Sequence, residues 1–228
     1  VRWVAETGST NQDLMAAAAA GAPDRTVLAA GHQTAGRGRL DRRWEAPPDA
    51  NLLVSLLFRR LPRHAHELTQ RVSLAAALAA ERVAGVRARL KWPNDLEVDG
   101  RKLAGVLAQR GGAGAGPSAA GSEFLVVGLG LNVGWAPEGA ARLGDHLDPL
   151  EVLRVLLAEL DGLPDDVGPQ YRARLGTLGQ QVRVLLPDGG ELEGRALDVE
   201  ADGRLVVLDA CGITHRIGAG DVVHLRPA

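Results

Sequence analysis

The dipeptide Asp99-Gly100 constrains the fold of this chain more than any other pair of residues. Asp-Gly suits a two-residue hairpin loop with positive φ at both positions, and such a loop sets the register of the strands it joins. Counting outward, Val98 faces Arg101, Glu97 faces Lys102, Leu96 faces Leu103 and Asp95 faces Ala104. Asp95 and Lys102 then share one surface, diagonally across the ladder at roughly 7–8 Å, with room for a small group between carboxylate and ammonium. A plainer alternative is a solvent-facing pair between Lys102 and Glu97, which is worth little. Just upstream, Pro93 in Lys91-Trp92-Pro93-Asn94-Asp95 disfavours an uninterrupted central strand.

The same stretch holds both lysines of the 228-residue chain, Lys91 and Lys102, while arginine supplies every other basic side chain. An ammonium is a compact point charge on a flexible stem, and guanidinium is a wide planar fork. A crowded site that must touch one oxygen favours the ammonium. The plainer alternative is chance, since two lysines must fall somewhere.

Periodicity places strands at Arg2–Glu6, Thr26–Ala30, Asn51–Arg59, Arg87–Leu90 and Phe124–Val133. Helices are expected over Gln12–Ala20, Glu67–Val83, Pro149–Leu160 and Pro164–Leu175, and loops over Gly111–Gly121 and Trp135–Leu147. From Leu178 the character changes. Short β runs at Gln181–Leu186, Glu191–Val199, Arg204–Leu208, Ile213–Ile217 and Val222–Leu225 alternate with Gly-containing turns, which suggests a small all-β barrel. The expected class is α+β: a domain over residues 1–176 with a β-sheet flanked by helices, and a β domain over 177–228.

Composition narrows the function. A net charge of −2 gives no basic field for DNA or RNA. The single cysteine, Cys211, excludes an internal disulfide framework and suits a reducing cytoplasm. No apolar run is long enough to span a bilayer as a helix.

Two further segments carry chemistry. In Gln33-Thr34-Ala35-Gly36-Arg37-Gly38-Arg39-Leu40-Asp41-Arg42-Arg43-Trp44, glycines permit positive φ and close backbone approach, and arginines add forked donors for carboxylate or phosphate oxygens. The segment is neither a Walker A loop nor a dinucleotide fingerprint, and a solvated connection is the alternative. Gly8-Ser9-Thr10-Asn11 supplies either helix caps or hydroxyls facing a small polar ligand. Asn132 ends an apolar run, where it either bonds backbone or faces a ligand. Three of the chain's four asparagines (11, 51, 94 and 132) fall in these singled-out segments.

In order and spacing, Gly-Ser-Thr-Asn, Gln-Thr-Ala-Gly-Arg-Gly-Arg, Lys-Trp-Pro-Asn-Asp, Arg-Lys-Leu-Ala-Gly and Gly-Leu-Gly-Leu-Asn together resemble the biotin–protein ligases over nearly the whole chain. The resemblance implies a mixed β-sheet flanked by helices, related to lipoate ligases and distantly to class II aminoacyl-tRNA synthetases, with an SH3-like C-terminal domain. It implies that ATP, with Mg²⁺, activates biotin as biotinyl-5′-AMP. A lysine of a biotin carboxyl carrier domain then displaces AMP. By the match, Arg37, Arg39 and Lys102 surround the carboxylate and α-phosphate, with Asp95 orienting or deprotonating the incoming lysine. Ser9, Thr10, Asn11, Gln33 and Gly38 fall at biotin positions, together with Arg37, Arg39 and Lys102. Arg39, Arg42, Trp44, Asn94 and Asn132 fall on the nucleotide side, and no metal ligand is identified. Where the family's arginine loop carries a later glycine, this chain has Asp41, which bears on Arg42. No segment matches the N-terminal winged helix of members that repress transcription, so a cytoplasmic ligase without DNA binding is expected, as monomer or homodimer. A lipoate–protein ligase and a non-catalytic biotin sensor are the rival readings.

Overall fold

The computed structural model describes residues 1–39, 42–112 and 123–225. The expected loop from Gly111 therefore lies mostly outside the described residues, as does Asp41. In chain order the first part runs β1 (Arg2–Thr7), α1 (Thr10–Ala19), β2 (Val27–Gln33), β3 (Leu52–Phe58), α2 (His66–Ala84), β4 (Arg89–Lys91), β5 (Asp95–Val98), β6 (Arg101–Gly111) and β7 (Phe124–Leu131). Helices α3 (Pro149–Gly162) and α4 (Gly168–Arg174) follow. The chain then enters β8 (Gln181–Leu185), β9 (Glu191–Val199), β10 (Leu205–Leu208), β11 (Thr214–Ile217) and β12 (Asp221–His224).

β1 to β7 form one sheet in the order β1-β2-β3-β7-β6-β5-β4. The β1–β2 pair is parallel and the remaining neighbours are antiparallel, so the sheet is mixed. β3 is apolar at nearly every position and buried along its length, because both faces of the sheet are covered. One face packs α1 through Leu14 and Ala18 against Leu28, Leu57, Phe124 and Val126. On the other, α2 brings a nearly continuous run of buried alanines, Ala75–Ala77 with Ala79 and Ala80. Their small side chains let the helix lie close to the sheet and to α3. α2 stops where Gly85 takes the left-handed conformation at φ 64. α3 starts on Asp148, whose carboxylate accepts from the Leu150 N–H at 2.9 Å, with Pro149 in the first turn.

The C-terminal strands form a second, antiparallel sheet in the order β11-β10-β9-β8-β12. Its inward residues, among them Val182, Val184, Leu205 and Val207, join the same hydrophobic cluster as α2 and α3. Polar bonds also cross between the parts, two of them from Trp92. Trp92 N–H donates to Thr177 Oγ1 at 3.0 Å, and Trp92 Nε1 donates to the Gly203 carbonyl at 2.9 Å. The Trp92–Pro93 peptide is cis.

The hairpin departs from the expected register. Asp99 (φ 51) and Gly100 (φ 72) both lie in the left-handed region, and Val98 and Glu97 face Arg101 and Lys102. A bulge then inserts one residue into β6, so Leu96 faces Ala104 and Asp95 faces Gly105. Leu103 and Ala104 both turn into the core. The inserted residue is what lets Lys102 and Gly105, an odd number apart, share one face. Boundaries elsewhere move by a few residues. α1 begins at Thr10, so Thr10 and Asn11 form its first turn. α4 begins only at Gly168, after Asp166 has bonded the Gly168 N–H at 2.9 Å.

His66, at the start of α2, packs its ring on Gly203, and its Nε2 is buried without a hydrogen-bond partner among the described residues. Burial holds its pKa below 6.5, opposed by Glu67 and Asp202 and assisted by His64. His224 is depressed in the same direction, by burial first and then by Lys91. For a histidine depressed in the folded state, the stabilising contribution is full above the unfolded pKa and is lost as pH falls through the folded one. The melting temperature is therefore expected to fall as pH is lowered from 7.5 to 5.5, measured by circular dichroism. His66→Gln should flatten that slope, and an unchanged slope would remove the assignment.

Candidate active site

Beyond the N-terminus of α1, the same sheet face opens into one cavity of about 490 Å³. Glycine makes the floor. Gly105 on β6 and Gly128 and Gly130 on β7 occupy cavity-facing positions, where each missing side chain admits a neighbour. A methyl on Gly128 would run into the Asn11 amide, and one on Gly130 into the Trp44 indole. Alternating Gly-Leu-Gly-Leu thus sends glycine to the site and Leu129 and Leu131 to the core.

Every residue expected at a site lines this cavity: Ser9, Thr10, Asn11, Gln33, Arg37, Gly38, Arg39, Arg42, Trp44, Asn94, Asp95, Lys102 and Asn132. At one end stands the start of α1. Ser9 is its N-cap by position, yet its hydroxyl makes no capping bond. Thr10 bonds Gln33 Oε1 through both its N–H, at 2.8 Å, and its hydroxyl, at 2.9 Å. That uses the amide oxygen and leaves Gln33 Nε2 beside Gly36 at the cavity.

At the other end, Lys102 Nζ lies 2.7 Å from Asp95 Oδ1. The expected gap between carboxylate and ammonium is therefore closed by a direct ion pair. The expected alternative partner, Glu97, is held instead by Lys91 at 2.7 Å. Lys91 thus braces β4 against β5. The Lys102 stem lies over Gly105, and its ammonium is 5.8 Å from the Trp44 ring centroid.

The arginine segment folds back on itself. Trp44 N–H donates to Gly36 O at 3.0 Å, Gly38 N–H donates to Arg42 O at 2.6 Å, and Arg37 bridges Arg43. Neither Gly36 nor Gly38 has positive φ. At Gly36 the requirement is space, because a Cβ there would strike the Trp44 carbonyl. Arg39 Nη1 donates to Asn94 Oδ1 at 3.1 Å, and Asn94 Nδ2 is anchored on Val106 O at 2.8 Å. Arg37 is exposed and makes no ion pair among the described residues.

Asn132 bonds backbone: its Nδ2 donates to Ala141 O at 2.9 Å, and its Oδ1 accepts from Asn51 Nδ2 at 3.3 Å. Asn51, set aside by sequence, accepts from Val133 N–H at 2.9 Å and Trp135 N–H at 3.2 Å, so it holds the strand end from which the Trp135 loop departs.

The residue sequence reasoning missed is Asp221. Its carboxylate comes from β12 and meets Arg42 Nη2 at 2.5 Å and Arg39 Nη1 at 3.5 Å, while the Gly220 carbonyl accepts from Arg39 Nη1 and Nη2 at 3.3 Å each. No local signal marks it, because the contact spans the whole chain. Five basic and three acidic side chains line the cavity, an excess that favours anionic ligands. Among the described residues no cluster of three or more His, Cys, Asp or Glu is arranged around a metal position.

Comparison with known proteins agrees with this architecture. A family described as "Biotin/lipoate A/B protein ligase family" matches residues 5–128, and "Biotin protein ligase C terminal domain" matches residues 177–225. The chain is 41% identical to the biotin--[acetyl-CoA-carboxylase] ligase of Mycobacterium tuberculosis over 98% of this chain and 88% of that protein. It is 35% identical to the enzyme of that name from Paracoccus denitrificans over 67% of this chain and 68% of that protein. The fold matches the biotin protein ligase from Aquifex aeolicus, solved in complex with biotin and ATP, with a TM-score of 0.77 at 24% identity, covering 99% of this chain and 98% of that one. With the family match covering more than half of the chain and 41% identity over nearly all of it, the chain belongs to the biotin/lipoate A/B protein ligase family.

Proposed function

We propose that this protein is an ATP-dependent biotin–protein ligase, with residues 1–176 as its catalytic domain and 177–228 as an SH3-like domain that completes the site. The observation that carries this reading is the polarity of the cavity. Hydroxyl and carboxamide groups (Ser9, Thr10, Gln33) gather at the start of α1, where Asn11 covers Gly128, while Lys102 lies over Gly105 beside Trp44 and the arginine segment lines the same cavity. A urea ring, an apolar tail and a carboxylate fit that order, with the glycine floor and Trp44 beside the tail. The carboxylate must approach a polyphosphate, so the barrier is mutual repulsion, and preorganised cations lower it.

In the first step a biotin carboxylate oxygen attacks the α-phosphorus of MgATP. The bond to the bridging oxygen breaks, and pyrophosphate leaves with its electron pair. Arg37, Arg39 and Lys102 stabilise the charge on carboxylate and phosphate oxygens, Asn94 aims Arg39, and Arg42, Trp44 and Asn132 border the nucleotide. In the second step a carrier-domain lysine, as neutral amine, attacks the activated carbonyl carbon, and AMP leaves. Asp95 orients that amine and accepts its proton. The Lys102–Asp95 ion pair must loosen as the amine arrives.

Biotin-dependent, lipoate-independent exchange of pyrophosphate into ATP is the deciding assay, followed by labelling of a carrier domain. Exchange with lipoate alone would move the protein to the lipoate branch. Lys102→Ala should lower adenylate formation by roughly 10²–10³-fold, the usual effect of removing one charge-stabilising donor. Asp95→Asn is expected to spare pyrophosphate exchange but slow transfer to the carrier lysine; equal losses in both half-reactions would end its assignment as base. Asp221→Asn should raise the KM for ATP about fivefold, corresponding to about 1 kcal/mol for a partly exposed charged contact, with the KM for biotin unchanged in steady-state kinetics.

A further inference from the structure

Behind the hydroxyl end of the cavity runs a chain of buried polar groups centred on a serine that contributes no surface to the cavity. Ser55 lies in the middle of β3, fully buried, in the apolar run Leu52-Leu53-Val54-Ser55-Leu56-Leu57. Its hydroxyl is 2.6 Å from Asn11 Oδ1 and 2.8 Å from Thr10 Oγ1. A hydroxyl in such a run is costly unless bonded, and its position opposite Gly128 in the sheet is what lets the Asn11 amide descend to meet it.

Backbone groups of fixed polarity pin both ends of this chain. A carbonyl can only accept, so the Asn11 amide turns Nδ2 to Leu107 O at 3.2 Å, and also to Gln109 Oε1 at 2.9 Å, leaving Oδ1 toward Ser55. An N–H can only donate, so Gln33 turns Oε1 to the Thr10 N–H at 2.8 Å. Between these two acceptors stand two hydroxyls, with oxygen–oxygen contacts of 2.6 Å (Asn11–Ser55), 2.8 Å (Ser55–Thr10) and 2.9 Å (Thr10–Gln33). Three contacts share two protons. Gln33 Oε1 already accepts from the Thr10 N–H, so when Ser55 donates to Asn11 the Thr10 proton goes to Ser55 Oγ or to Gln33 Oε1, and in either order Thr10 Oγ1 accepts nothing. It is then an oriented acceptor at the cavity wall beside Gln33 Nε2, an oriented donor.

We propose that Ser55 is a positioning residue for substrate specificity: by holding Asn11 and Thr10, it sets an acceptor (Thr10 Oγ1) next to a donor (Gln33 Nε2), the order that the adjacent N–H and C=O of a cyclic urea require. The proposal rests on the biotin reading above and names the device that distinguishes a urea from its isosteres. Ser55→Ala leaves Asn11 Oδ1 without a donor and removes the neighbour that holds the Thr10 hydroxyl at 2.8 Å, so both cavity-lining side chains lose their fixed position.

The test compares kcat/KM for biotin with that for 2-iminobiotin, whose guanidinium offers only donors, in pyrophosphate exchange. Ser55→Ala is expected to raise the KM for biotin about tenfold, to leave the KM for ATP within twofold, and to lower the biotin-to-iminobiotin preference at least fivefold. Ser55→Cys, of similar volume with a weak donor, should fall between. It also serves as the decisive variant if Ser55→Ala does not fold by circular dichroism. A preference ratio unchanged in the folded variant, even with both KM values raised, would overturn the proposal, because that is the signature of a merely structural hydroxyl. Wild-type protein inactive with biotin would instead refute the functional reading on which it rests.

Discussion

Trp92 is the point on which both halves of the molecule bear. It is 3% exposed, and its two N–H groups donate to Thr177 and Gly203 on the C-terminal side. A buried donor left without its partner costs on the order of 1–3 kcal/mol, so these bonds, with the large apolar surface of the indole, hold the turn after β4 in one place. That turn carries Asn94 and Asp95, which aim Arg39 and hold Lys102. The same docking of the two sheets brings Asp221 to the arginine segment. One buried side chain thus fixes the position of the cationic end of the cavity.

The opposite end depends on a different economy of space. Three glycines remove side chains from the floor, and their neighbours Asn11, Trp44 and Lys102 lie in the space they vacate. A bulge in β6 re-phases the strand so that Lys102 joins this face while Leu103 and Ala104 stay in the core. Shape and charge are therefore set by backbone devices, and the side chains inherit their directions from them.

Electrostatically, the cations of the cavity are already engaged. Lys102 faces Asp95, and Arg39 and Arg42 face Asp221. These carboxylates hold the cations in position before an anionic substrate arrives, so its oxygens meet groups that are already ordered. Arg37, exposed and without such a partner among the described residues, is the cation most ready for a ligand.

Much was legible in the chain itself: the alternating and helical periods, the Asp-Gly turn, the short C-terminal strands, and the set of polar residues that gather at the cavity. All but the last are local properties, governed by the side-chain periods of helix and strand and by the φ that a turn requires; the polar set was legible through the resemblance of the ordered motifs to a known family. Tertiary structure alone decided the rest. The bulge that moved Asp95 opposite Gly105, the diversion of Glu97 to Lys91, and the engagement of Asn132 with backbone depend on which strands lie side by side. Ser55 read as one polar residue in an apolar strand, and Asp221 as one acid in a short β run. Each acquires its meaning only from partners 44 and 45 residues away for Ser55, and 182 for the Asp221–Arg39 contact. No pattern within a few residues encodes such distances, because packing, not local propensity, brings those groups together.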